Sequence, residues 1–93
     1  MPKWDNKKTE ELFKTILKLK NIKEAKIFFR DLLTEKEIIE FGNRWKAATM
    51  LEKGISYKKI EKQTGLSSRT IARISWWIKR GKGGYLLMLK RNK

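Results

Sequence analysis

Apolar residues recur along most of this chain at spacings of three and four, the period of an α-helix that buries one side. Leu12, Phe13, Ile16, Leu17 and Leu19 form the first such face, with lysines opposite. Asp5 is positioned to cap this helix, which runs to about Lys20, and Asn21 reads as its stop. A second helix, about Ile22 to Leu33, carries Ile22, Ala25, Phe28, Phe29, Leu32 and Leu33. The ordinary reading of these faces is core. They are wide for so short a chain, and a subunit interface would absorb the surplus. Thr34-Glu35-Lys36-Glu37 is a capping box: the Thr34 hydroxyl can accept from the Glu37 N–H while the Glu37 carboxylate returns to the Thr34 N–H. It opens a third helix, about Glu35 to Lys53, with Ile38, Ile39, Phe41, Trp45, Ala48, Met50 and Leu51 apolar and Gly54 as terminator. Gly42 inside that helix costs about 1 kcal/mol relative to alanine, which predicts close approach by another helix.

The stretch from Ser56 to Arg80 has a different character. Ser56 is an N-cap for a helix over about Tyr57 to Thr64, and Gly65 supplies the positive φ of a sharp helix-to-helix turn. Ser67 then caps a further helix that ends at Gly81. Ile60, Leu66, Ile71, Ile74 and Ile78 are apolar where a helix-turn-helix needs them. On the opposite side Arg69, Arg73, Trp76 and Arg80 follow at i, i+4, i+7 and i+11, one exposed stripe. In a helix-turn-helix the second helix enters the major groove with its N-terminal residues on base edges, a place held here by Ser68, Arg69, Thr70 and Arg73. Tyr57, Lys58 and Lys59 crowd the first turn of the preceding helix, the wrong sign for its dipole unless a phosphate sits there. Lys82-Gly83-Gly84 reads as a flexible joint, Tyr85 to Leu89 as a short apolar segment of a turn or two, and Lys90 to Lys93 as a basic tail.

Charge sharpens this picture. The 93 residues carry 24 Lys and Arg against 10 Asp and Glu, a formal charge of +14. Residues 55–93 hold eleven basic residues and one acid, Glu61, so the helix-turn-helix and tail account for +10 of it. A field concentrated on one module is the footprint of nucleic-acid binding. Glu61 is the exception: it either points outward, discouraging non-specific binding or accepting from a cytosine amine, or pairs with Arg69 or Arg73. With no cysteine and no histidine, disulfides, zinc fingers, iron–sulfur clusters and His or Cys catalysis are excluded. No metal ligand set, cofactor motif or convergent carboxylate pair is present, and an enzyme is not expected. The absence of a signal peptide or a membrane-length apolar run points to a cytoplasmic, nucleoid-associated protein.

The ordered set Arg30-Asp31-Leu32-Leu33-Thr34-Glu35-Lys36-Glu37, Arg44, Gly54, Gly65, Thr70-Ile71-Ala72-Arg73 and Gly81-Lys82-Gly83-Gly84-Tyr85 resembles the bacterial Trp repressor superfamily, and within it the YerC/YecD-like branch. The resemblance covers about residues 28 to 85. It implies an all-α fold of five to six helices, an intertwined homodimer made by the N-terminal helices, and a helix-turn-helix that reads operators in double-stranded DNA. The chain then divides into dimerisation helices (1–33), a scaffold helix (34–54), the helix-turn-helix (55–81) and a basic tail (82–93) of one domain. In tryptophan-binding members the effector pocket uses a threonine opening the third helix and an arginine ten residues on, matched by Thr34 and Arg44, and a recognition-helix arginine matched by Arg73. The glycine expected after that arginine is Ile74 here, the serine three residues further on is Trp77, and the leucine three before the threonine is Asp31. Ile74 and Trp77 would fill the space an indole needs. Trp77 thus reads as a built-in plug, as core packing, or as both, and free tryptophan is not expected as corepressor.

The residues expected to meet DNA are therefore Tyr57, Lys58, Lys59, Ser67, Ser68, Arg69, Thr70, Arg73, Trp76 and Arg80. The recognition helix spans about 68–80. A sequence-specific transcriptional regulator is the principal expectation. A non-specific nucleoid or RNA-binding protein is the alternative, suggested by the lysines of residues 1–26 and by Trp76 as a stacking surface. A protein–protein adaptor with the same fold is a third reading.

Overall fold

The computed structural model describes residues 2–93 and is all-α. Its helices are α1 (Lys7–Ile16), α2 (Ile22–Leu32), α3 (Glu35–Glu52), α4 (Tyr57–Thr64), α5 (Ser68–Arg80) and α6 (Gly84–Arg91). The described residues form two compact units, one running to Ile38 and the other from Ile39 to Lys93.

In the first unit, local hydrogen bonding moves two boundaries away from their sequence expectation. Asn6, not Asp5, caps α1, because Thr9 lies three residues on and completes a reciprocal box: the Thr9 N–H donates to Asn6 Oδ1 and the Asn6 N–H to Thr9 Oγ1, both at 3.0 Å. The helix stops at Ile16 rather than near Lys20, and Lys18 and Leu19 close single turns onto Thr15 and Ile16. Asn21, expected as a stop, opens α2: its side chain accepts from the Glu24 N–H at 2.9 Å, while the Lys20 N–H donates to the Glu24 carboxylate at 2.9 Å. The Thr34–Glu37 box at the head of α3 forms as expected, with bonds of 2.9 and 3.1 Å. Neither α1 nor α2 buries a residue. Leu17 is 83% and Ile22 74% exposed, and Phe13 and Ile27 are exposed as well, while Leu12, Ile16, Phe28 and Phe29 are partly covered.

The second unit contains the core. Ala47, Ala48 and Met50 of α3 meet Ile60 of α4 and Ile71 and Ile74 of α5, all buried, with Trp45, Leu51, Ile55, Leu66, Ile78 and Tyr85 packed around them. The two alanines are fully inaccessible and are the close-packed positions of α3, a place that sequence reasoning gives to Gly42. A Cβ built at Gly42 would meet nothing within 4 Å, so that expectation fails. The C-terminal stretch is a packed helix rather than a loose joint and tail. Gly83 turns the chain at φ +88, α6 follows, Leu89 is buried, and Tyr85 lies nearly parallel to Trp45 with ring centroids 6.4 Å apart. Lys93 reaches Glu52 at 3.5 Å.

Candidate nucleic-acid interface

The α4–turn–α5 unit is built by local chemistry. Ser56 accepts from the Lys59 N–H at 3.3 Å and Ser67 from the Thr70 N–H at 3.2 Å, so each helix starts at the cap read from sequence. Gly65 holds φ +73 and returns its N–H to Glu61 O at 2.8 Å. Thr64, unremarked in the sequence reading, ties the turn together. Its buried hydroxyl donates to Ile60 O at 2.7 Å and accepts from the Leu66 N–H at 3.2 Å.

This scaffold leaves Tyr57, Lys58 and Lys59 exposed on the first turn of α4, and Ser67, Ser68, Arg69, Arg73, Trp76 and Arg80 exposed along α5. Thr70 is half-buried, and its hydroxyl accepts from Ser67 Oγ at 3.1 Å. Residues 39–93 carry 14 basic and three acidic side chains. Two of those acids are engaged away from α5, Glu40 with Arg44 at 3.1 Å and Glu52 with Lys93 at 3.5 Å. The third, Glu61, forms no ion pair with Arg69 or Arg73; it lines a shallow hollow with Lys58, Lys59 and Lys62. Among the described residues the cations of α4 and α5 therefore have no carboxylate within salt-bridge distance. Like charges held together without counterions raise the potential over that face and favour a polyanion there.

Arg44, Arg73 and Trp77, expected around an effector, do come together. With Thr70, Ile74 and Tyr85 they line a cavity of about 400 Å³. Thr34, the fourth expected member, belongs to the first unit, where its hydroxyl accepts from the Glu37 N–H. Trp77 is 48% exposed and so is not a core residue; it forms part of the wall. It also borders a second, more apolar hollow of about 510 Å³ with Trp45, Tyr85 and Met88. Burial pushes the Tyr85 phenol above its usual value, and the nearby Arg44 charge opposes that shift. Sequence reasoning missed the pairing of Trp45 with Tyr85, since nothing local connects residues forty apart.

An all-α chain with two capped helices about a left-handed glycine turn, and an unpaired basic stripe on the second, is of the helix-turn-helix class. The sequence profile of the Trp repressor protein family matches residues 7–93, and the chain belongs to that family of DNA-binding regulators. It is 40% identical over 87 residues to the uncharacterized protein YerC of Bacillus subtilis, spanning 94% of this chain and 84% of that one. Two solved structures share the fold. A TrpR-like protein from Eubacterium eligens superposes with a TM-score of 0.92 at 35% identity, covering 98% of this chain and 94% of the other. A candidate Trp repressor from Staphylococcus aureus gives 0.87 at 36% identity, covering 92% and 86%. No helix among the described residues is long and apolar enough to cross a membrane.

Proposed function

We propose that this protein is a sequence-specific, double-stranded-DNA-binding transcriptional regulator that works as a homodimer in the cytoplasm, with α5 in the major groove. The unpaired basic stripe of α5 is the observation that carries the reading. In this assignment Ser68, Arg69, Thr70 and Arg73 face base edges, Tyr57, Lys58, Lys59 and Ser67 hold the phosphate backbone, and Arg80 adds charge alongside. The exposed apolar residues Phe13, Leu17, Ile22 and Ile27 support a dimer, and residues 1–33 are assigned to it. Residues 34–54 then serve as scaffold, 55–81 as the helix-turn-helix and 82–93 as its C-terminal extension, all within one functional domain.

Tryptophan is not the corepressor in this reading. Ile74 is buried and Trp77 walls the cavity that Arg44 and Arg73 line, so side chains of the protein occupy ground that a small glycine and serine would leave free. Titration calorimetry is expected to show no binding at micromolar tryptophan; a micromolar dissociation constant would reverse this part of the proposal.

The central test is selection from a randomised duplex pool, then anisotropy titration of the winner and a scrambled control at two salt concentrations. The expected result is a palindromic winner bound at least ~10³-fold tighter than the control. An absence of any enriched motif, with steep salt dependence on every sequence, would replace this reading with non-specific nucleic-acid binding.

A further inference from the structure

We propose that Ala72 is a specificity-determining residue: it marks the closest approach of α5 to the duplex, and its methyl group meets the 5-methyl group of a thymine in the major groove. This inference rests on the assignment of α5 to duplex DNA made above.

The rotation of α5 about its own axis is set by its core side. Ile71 is fully inaccessible and Ile74 is 3% exposed, both packed in the cluster that holds Ile60, Ala47 and Ala48. Ala72 follows Ile71 directly and is exposed. Ser68 and Arg69, four and three residues before it, are its neighbours on the helix surface, and Arg73 comes next in the chain. Those three residues are exposed and are assigned to base edges, so Ala72 lies within the base-facing patch rather than beyond it. Of the exposed side chains from Ser67 to Arg73 it is the apolar one. A single Cβ has no rotamer to change. The backbone that Ile71 and Ile74 anchor therefore also fixes this methyl group.

Size decides what such a position can do. Arg69 and Arg73 carry long side chains with no carboxylate within salt-bridge distance, and the alanine beside them leaves a notch. The major groove is about 12 Å wide and a helix with its side chains about 10–12 Å across, so the depth of entry depends on the side chains at the contact. One carbon at position 72 lets the helix backbone come down to the base edges, whereas a branched side chain would hold it off. The group that fills the notch must be small and apolar, because alanine offers no side-chain donor or acceptor. Among the base edges of the major groove the thymine methyl is that group, and alanine is one of the side chains that contact it.

Duplex selection with wild type should yield a thymine beside the positions that lose their preference in Arg69→Ala and Arg73→Ala. Uracil at that thymine deletes only the methyl group and should weaken wild type roughly fourfold. Ala72→Gly should bind the thymine and uracil duplexes equally. That ratio is taken within one protein, so a lower folded fraction of the glycine variant cancels. Ala72→Leu leaves the core side of α5 intact, fills the notch, and should lose about tenfold or more of the preference for operator over random duplex. Equal uracil sensitivity in wild type and Ala72→Gly would overturn the proposal. So would a full operator preference in Ala72→Leu, or a selected motif without thymine beside the arginine-dependent positions. Failure of wild type itself to select any motif would instead remove the operator-reading function, an outcome visible before any variant is compared.

Discussion

Thr64 shows how much one buried hydroxyl does in this chain. It satisfies Ile60 O and the Leu66 N–H at once, on either side of the turn that aims α5. Thr64→Val keeps the shape but strands the Leu66 N–H, so a loss of about 1–3 kcal/mol is expected in denaturant unfolding. Tyr85 adds a pH dependence. Burial raises its phenol above the usual 10.0, so the folded protein holds that proton more tightly than the unfolded chain does. The stabilisation is complete below pH 10, and it is lost as pH climbs through the folded-state value. The denaturation midpoint of wild type should fall in that alkaline window more steeply than that of Tyr85→Phe. On the DNA face the residues should separate by role. Arg69→Ala or Arg73→Ala is expected to cost about 1–3 kcal/mol and relax specificity, while Lys59→Ala should weaken all sequences alike and flatten the salt slope. Equal losses on operator and random DNA for all three would contradict the division between base and phosphate contacts.

Among the elements, α4 and α5 were the most legible, because their limits are set by neighbours in sequence. Serine caps, a glycine turn and period-3.6 isoleucines act within a few residues, and Ser56, Gly65 and Ser67 stand where the local chemistry requires. Gly65→Ala meets open space at its Cβ but must keep φ +73, so the expected cost is purely conformational, about 1–2 kcal/mol in thermal unfolding. The start of α1 and the Lys20–Asn21 junction were misread for an instructive reason. Asp5 and Asn6 are both competent caps, and only the reach of Thr9 selects between them. Asn21 can stop one helix or start the next, and the carboxylate of Glu24 decides for the start. α6 was underread because its last residues are basic and its first are glycines, while its stability comes from burial of Leu89 and from Tyr85 against Trp45.

At the scale of the whole molecule the notable quantity is the apolar surface left uncovered. Leu17, Ile22, Ile27 and Phe13 are exposed in the first unit, and Leu86, Leu87 and Met88 on α6, more than a monomer of 93 residues ordinarily leaves in water. Sedimentation equilibrium is expected to give a dimer for wild type and a shift toward monomer for Leu17→Glu, which sets a charge in that surface. A monomeric wild type at micromolar concentration would remove the dimer from the proposal and, with it, the expectation of a palindromic site.

Sequence alone determined the helical class, the helix-turn-helix limits, the cationic stripe and the family resemblance. All of these arise from interactions between residues a few positions apart, or from composition. Tertiary structure decided the rest. It brought Arg44, Arg73 and Trp77 to one cavity, left Trp77 half exposed rather than in the core, and gave the close-packed positions to Ala47 and Ala48 instead of Gly42. Which of several apolar faces is buried, and how deeply, depends on what the folded chain brings against it. That is set by packing across long sequence separations, which no local pattern encodes.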